Sequence, residues 1–262
     1  AHSYQPGMGY AQALLFECVF FWAVPVFYML TGATLFGYRE RYDTRTFFRK
    51  RVVRTLLPFL AWSAIMLVWK IATEQMPPPV GPRSLVVLIL NTQIMDVYWF
   101  FIPLFMIYLA MPVLSLLKGE RHRKVLWYAV GVGFLTTSVL PQLFAALGMA
   151  YNVNLIFPLF YSWLLFPVLG YLLSTTTLSL GQRRVLYAAA ALATTLRFAV
   201  TLLTHGANGA NVSFFWSYLG FPGVLLGSAV FVFAKQVDWE RIFVKTRHVK
   251  ILSRLSGCSF GV

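Results

Sequence analysis

Val24-Pro25-Val26-Phe27-Tyr28-Met29-Leu30-Thr31-Gly32 closes a long apolar stretch, and Phe48-Arg49-Lys50-Arg51-Val52-Val53-Arg54-Thr55-Leu56-Leu57-Pro58 opens the next one after a short charged connection. The first stretch reads as the end of a spanning helix that reaches from Ala11 to Gly37 and is open to tilt or interruption at Pro25, whose ring cannot supply a helical N–H. The second reads as the start of a span from Arg51 to about Lys70, with four cations packed into six residues at its mouth. Around this pair the chain is 59% hydrophobic and 17% aromatic with only 11% charged residues, against about a quarter charged in an ordinary soluble domain. Apolar runs of roughly 20 residues recur, the length an α-helix needs to cross a hydrocarbon core of about 30 Å. The alternating pattern of barrel strands is absent, and helices and closed barrels are the only spanning solutions. The expected fold is therefore all-α, a polytopic transmembrane helix bundle of about seven spans forming one integral-membrane domain over residues 1–262.

Working outward, five further spans follow: Tyr98 to Leu117, Val125 to Leu147, Leu155 to Leu173, Val185 to Thr204 and Val212 to Ala234. Met76-Pro77-Pro78-Pro79-Val80-Gly81-Pro82 marks a loop, and Leu85 to Ile94 is apolar but too short to cross. Lys and Arg test this scheme, because cytoplasmic loops are enriched in them. Seven lie between Arg39 and Arg54, four between Lys118 and Lys124, two at Arg183-Arg184 and six between Lys235 and Arg254, whereas the intervening loops hold only Arg83. This alternation places the basic loops in the cytoplasm and the residue 1 end outside. It also accounts for the net charge of +14 and pI near 10.1 without nucleic acid as a partner; the lipid bilayer is the surface that charge addresses. Lys235 to Arg254 interleaves cations with Trp239, Ile242, Phe243, Val249 and Ile251, as a basic connecting loop or an amphipathic helix on the inner leaflet would. Cys18 and Cys258 fall in apolar surroundings without metal-ligand spacing, so neither a disulfide framework nor a metal site is expected.

Three groups of residues could carry chemistry. Arg49, Lys50, Arg51 and Arg54 stand at the expected inner end of the second span, where the helix dipole favours anions over cations. Membrane orientation and snorkelling to lipid phosphates give one reason for them; a bound polyanion gives another. Arg51 and Arg54, at i and i+3, would project from one face beside free helix N–H groups, a suitable set for phosphate. His2, next to a membrane entrance on the outer side, is a candidate general base. Glu17 and Arg197 fall inside the first and sixth spans, and ionisable side chains there mark functional sites by default because burying them in the bilayer is costly. They form a candidate intramembrane polar site. Asn211-Val212-Ser213 matches a glycosylation sequon on the outer side, but so short a pattern recurs by chance and stands close to the membrane, so no modification is expected there. No Gly-rich phosphate loop or nucleophile elbow is present.

At these residues the chain resembles the acyltransferase-3 family, bacterial polytopic membrane O-acyltransferases that decorate surface polysaccharides. Val24-Pro25-Val26-Phe27-Tyr28-Met29-Leu30-Thr31-Gly32 is similar to the family's Val-Pro-Leu-Phe-Phe-Met-Ile-Ser-Gly run, with Thr31 in place of Ser. Arg51-Val52-Val53-Arg54 before Leu57-Pro58 matches its Arg-x-x-Arg motif. Tyr98-Trp99-Phe100-Phe101 with Tyr108 and Pro112 is like its Trp-Phe…Tyr-Leu…Pro helix, and Leu255-Ser256 through Ser259-Phe260-Gly261 is like the lead into its last helix. The resemblance implies a piece of a longer protein, truncated at both ends and short of both terminal helices. It also implies a catalytic role for His2, whose family partner, an arginine about ten residues upstream, would precede Ala1. It implies acyl-CoA binding at Arg51 and Arg54 with Arg49 and Lys50 beside them.

The activity so implied is O-acyl transfer, with acetyl the expected group: acetyl-CoA or another acyl-CoA is co-substrate, no cofactor is bound, and no metal takes part. The acceptor is an extracytoplasmic glycan or lipid-linked saccharide, and the setting is the bacterial cytoplasmic membrane. Two rivals remain open on the residues alone. A non-catalytic transporter or flippase would show discontinuous helices in two corresponding halves, of which one candidate, around Pro25, is visible. A seven-helix receptor fits the span count but lacks a cysteine in any outer loop.

Overall fold

The computed structural model describes residues 9–160, 163–208 and 213–238. In chain order the α-helices are α1 (Tyr10–Phe20), α2 (Ala23–Leu35), α3 (Thr44–Arg51), α4 (Leu57–Ala72), α5 (Gly81–Leu90), α6 (Phe101–Leu114), α7 (Glu120–Gly133), α8 (Leu140–Ala146), α9 (Leu165–Thr175), α10 (Leu180–Asn208) and α11 (Phe221–Gln236). No strand occurs among the described residues. Among the described residues five helical runs are long and apolar enough to cross a membrane: Tyr10–Glu40, Thr44–Ala72, Asp96–Leu117, Glu120–Ala146 and Leu180–Thr204. They correspond to five of the seven expected spans. The other two are the shorter apolar helices α9 and α11, of 11 and 16 residues. The expected short segment at Leu85 to Ile94 becomes α5, ten residues long with none buried.

The described residues fall into two compact units, one built from the chain up to Gly37 with Leu116–Val237, the other from Tyr38–Ser115 with Asp238. In the first unit α9 is the centre, every residue from Leu165 to Leu173 being buried. A helix so enclosed need not span lipid by itself. It meets α2 at backbone contact: a Cβ added to Gly32 would stand 1.9 Å from the Pro167 carbonyl oxygen, and one added to Gly170 would stand 2.1 Å from that of Met29. Between membrane helices, where lipid is as apolar as leucine, such close approach of small residues is what dispersion attraction rewards. Phe36 stacks on Tyr171 with ring centroids 4.0 Å apart, and the Tyr171 hydroxyl accepts the N–H of Gly119 at 3.0 Å. Gly119 has φ +118°, open to glycine and strained for other residues, and it starts α7.

The first span is interrupted as its proline requires. Pro25 has no N–H for the Phe21 carbonyl four residues earlier, and the helix opens into a turn at Phe21-Trp22 before Val26 resumes the ladder to Trp22 at 2.9 Å. Gly32, by contrast, lies inside continuous helix, so its place in the motif reflects packing rather than broken backbone.

In the second unit α3 begins at Asp43, whose carboxylate accepts the Thr46 amide at 3.4 Å. The helix then widens into one π turn over Val52–Leu56, where the Leu57 N–H reaches back five residues to Val52, and continues as α4. Pro58 explains the widening: it withholds the amide that the Arg54 carbonyl would receive. The same device recurs in the first unit over Phe134–Val139, just before Pro141. Phe59 on α4 packs against Tyr98, Phe101 and Phe105 at centroid distances of 5.0–5.7 Å, which joins α4 to the start of α6. Arg39 fastens the other end of α6, its Nε donating to Ser115 Oγ at 2.8 Å and its Nη2 to the Pro112 carbonyl at 3.0 Å.

Candidate functional site

The four clustered cations sit where two kinds of helix meet. Arg49, Lys50 and Arg51 form the last turn of α3, and Arg54 lies within the π turn. The expectation that they open a helix is corrected here. The helix starts earlier, at Thr44, because Asp43 provides a cap that the apolar pattern alone does not reveal, so the N–H groups around Arg51 and Arg54 are engaged within the helix. Cations at the C-terminal turn of α3 are no longer opposed by a helix dipole.

Their side chains are held differently. The Arg51 guanidinium lies between two rings, 5.7 Å from the Phe47 centroid and 5.4 Å from that of Tyr108. Its Nε is buried and has no hydrogen-bond partner among the described residues. Lys50 Nζ stands 3.9 Å over the Tyr42 ring. Arg49 and Arg54 are exposed. Among the described residues none of the four forms an ion pair. Aromatic faces orient a cation without neutralising it, so this end of the helix presents an uncompensated positive surface with one buried donor to spare, the arrangement that phosphate groups fill. Nearby Asp43 is committed to the helix cap: hydrogen bonding from Thr46 holds its carboxyl below the ordinary aspartate value. Phe47 lies four residues before Arg51, on the same helical face, and could have been found by spacing. Tyr108, on α6, could not.

A second polar cluster forms in the other unit. Arg197 on α10 and Glu17 on α1 are brought together, Nη2 to Oε1 at 3.5 Å, with their side chains 2% and 24% exposed. The sequence offered no proximity for this pair, and the fold supplies it. Arg197 Cζ lies 3.5 Å from the centroid of Phe21 and 5.6 Å from that of Trp216, while its Nη1 has no hydrogen-bond partner among the described residues. Tyr218 stacks on the opposite side of this aromatic wall, 4.2 Å from Phe21. Phe21 follows Glu17 by four positions and was legible as its neighbour; Trp216 and Tyr218 were not. The cluster is one buried cation, a loosely placed carboxylate and a cage of rings. His2, the candidate base, lies outside the described residues, as do Asn211 of the sequon and most of the basic segment from Lys235 to Arg254. No group of three or more His, Cys, Asp or Glu that could hold a metal ion occurs among the described residues.

No curated protein and no solved structure matches this chain. A family profile described as an acyltransferase domain matches residues 2–262. The match runs through the Val24–Gly32 stretch, the Arg51–Arg54 turn and both compact units, and it is carried by a bundle whose long helices are apolar enough to span a membrane. The chain belongs to the acyltransferase-3 family.

Proposed function

We propose that this membrane acyltransferase takes an acyl group, most simply acetyl, from acyl-CoA on the cytoplasmic side and delivers it to a hydroxyl of an extracytoplasmic glycan or lipid-linked saccharide. The carrying observation is the cation cluster at the π turn, unneutralised among the described residues. Arg51 is oriented by Phe47 and Tyr108 with a buried Nε lacking a partner, and Arg54 is exposed beside it. Phosphates of coenzyme A are the polyanion that acyl transfer brings to a membrane protein, and guanidinium forks bind them through paired, charge-assisted hydrogen bonds. Arg49 and Lys50 add to the local field and so to capture of the donor. The enrichment of alternate loops in Lys and Arg supports a cytoplasmic position for this surface and an outer one for the His2 end. In this reading His2 acts as general base toward the acceptor hydroxyl, or as relay of the acyl group. The bacterial cytoplasmic membrane is the setting. Glu17 and Arg197 form a separate internal polar site in the other unit.

The test is transfer of radiolabelled acetyl from acetyl-CoA to cell-envelope glycan in membranes carrying the full-length protein. Arg51→Ala and Arg54→Ala should each raise the KM for acetyl-CoA about tenfold or more, the value of a charge-assisted hydrogen bond of at least about 1.5 kcal/mol. His2→Ala should lower kcat with little change in that KM. Unaltered donor KM in both arginine variants would refute the binding assignment. Movement of an envelope precursor without label transfer would replace acyl transfer by transport.

A further inference from the structure

A cavity of about 500 Å³ opens among α7, α9, α10 and α11, within the 300–1,000 Å³ of small-molecule sites. Its walls are apolar, with Trp127, Phe134, Leu169, Leu186, Val224 and Leu225 among them. Leu173, Thr176 and Leu178 line both this cavity and a second, of about 280 Å³, whose remaining walls include Arg183, Lys235 and Gln236. The two spaces are therefore neighbours across these three residues, an apolar chamber beside a cationic one, and together they make an amphiphilic recess. Among the described residues no carboxylate lines either.

The polar chamber is built and incompletely satisfied. Lys235 Nζ donates to the carbonyls of Leu173 and Thr176 at 2.9 and 3.0 Å, and an ammonium has a third N–H to give. Arg183 Nη1 is fixed by Gln236 Oε1 at 2.6 Å. Gln236 is itself held by the Tyr187 hydroxyl and the Val232 carbonyl, both at 3.1 Å. Arg183 Nε and Thr176 Oγ1 are buried and have no hydrogen-bond partner among the described residues. Buried donors without partners are costly, and an acceptor placed between them removes the cost.

We infer that this recess holds one anionic glycerophospholipid, with an acyl chain in the apolar chamber and the phosphate diester between Arg183, Lys235 and Thr176. A soluble anion would leave the larger chamber empty, and an uncharged chain would leave the donors unmet. A zwitterionic lipid would bring an ammonium to two cations with no carboxylate to receive it. Basic pockets between membrane helices recognise anionic headgroups on this physical ground. Arg183 and Lys235 belong to the basic loops, so the lipid belongs to the inner leaflet in the proposed orientation. The inference stands on the recess itself and does not depend on acyl transfer.

The test is native mass spectrometry and thermal melting of the detergent-solubilised full chain, with phosphatidylglycerol, phosphatidylcholine or inorganic phosphate added. Wild type should retain phosphatidylglycerol over phosphatidylcholine and melt higher with it, while phosphate alone changes nothing. Arg183→Gln and Lys235→Gln should each lower that preference about fivefold. Gly131→Leu fills the chamber from a position where an added Cβ meets nothing within 4 Å. It should abolish retention while the lipid-free protein melts no lower than wild type. Equal retention of both lipids by wild type, full retention by Gly131→Leu, or stabilisation by inorganic phosphate would each overturn the assignment.

Discussion

Replacing Gly32 by alanine tests whether the motif glycine serves packing. The added Cβ would lie 1.9 Å from the Pro167 carbonyl oxygen, 2.4 Å from its carbon and 2.5 Å from its Cα. All three obstacles are backbone, so no side chain can rotate aside. Ordinary contact begins at 3.4 Å, and relief therefore needs α2 and α9 to separate locally by about 1.5 Å, the gap between those two distances. That movement breaks contact along a helix whose residues from Leu165 to Leu173 are all buried. Overpacking commonly costs 1–3 kcal/mol, and a backbone obstacle belongs at or above the top of that range, about 3 kcal/mol. For a chain of this size the loss corresponds to a fall of roughly 6–12 °C in Tm. Thermal melting of the purified protein in one detergent, at matched lipid content, reads it directly. Gly131→Ala is the control, since its Cβ meets nothing within 4 Å and alanine gains up to about 1 kcal/mol over glycine inside a helix. Gly170→Ala meets the Met29 carbonyl oxygen at 2.1 Å and should behave like Gly32→Ala. The double variant should lose less than the two together, because one separation relieves both clashes. A Gly32→Ala protein melting within roughly 2 °C of wild type would refute the reasoning.

Glu17→Ala leaves Arg197 buried with no counter-charge and should cost about 3 kcal/mol in unfolding free energy, whereas Glu17→Leu combined with Arg197→Met should cost less than either single change; additivity in that cycle would show the pair uncoupled. The Asp43 cap follows pH with a definite sign: its folded pKa is depressed, so its contribution is present above the unfolded value of about 3.9 and is lost as pH falls through the lower folded value. Amide protection at Thr46 and Phe47 should therefore hold down to about pH 4 and decline below it, while Asp43→Asn, which keeps an acceptor, should show no such decline. Tyr108→Leu removes one ring that orients Arg51 and should raise the KM for acetyl-CoA by about two- to fivefold, the scale of an exposed cation–π contact; an unchanged KM would leave the guanidinium's position to Phe47 alone.

Much of the architecture was legible because its causes are local. Apolar runs of spanning length marked the helices, and Pro25 marked the break in the first span. The start of the second span was misplaced for a local reason too: Asp43 and Thr46 form a cap outside the apolar run, and the helix begins there rather than at the cations. That shift changed what surrounds Arg51 and Arg54, from free N–H groups to a π turn and two aromatic rings.

By itself the sequence determined that the chain is a helical membrane protein with clustered cations at one helix and two ionisable residues inside its spans. Those are matters of composition and period, which act over a few residues. Only tertiary structure decided that Glu17 meets Arg197 across 180 positions, that Gly32 and Gly170 let two backbones touch, and that Thr176, Arg183 and Lys235 share one recess. A helical period fixes which face a residue occupies, but not which helix that face will meet. That choice is made by the shape and spacing of whole helices packed together, where a missing Cβ or a single buried donor selects the partner.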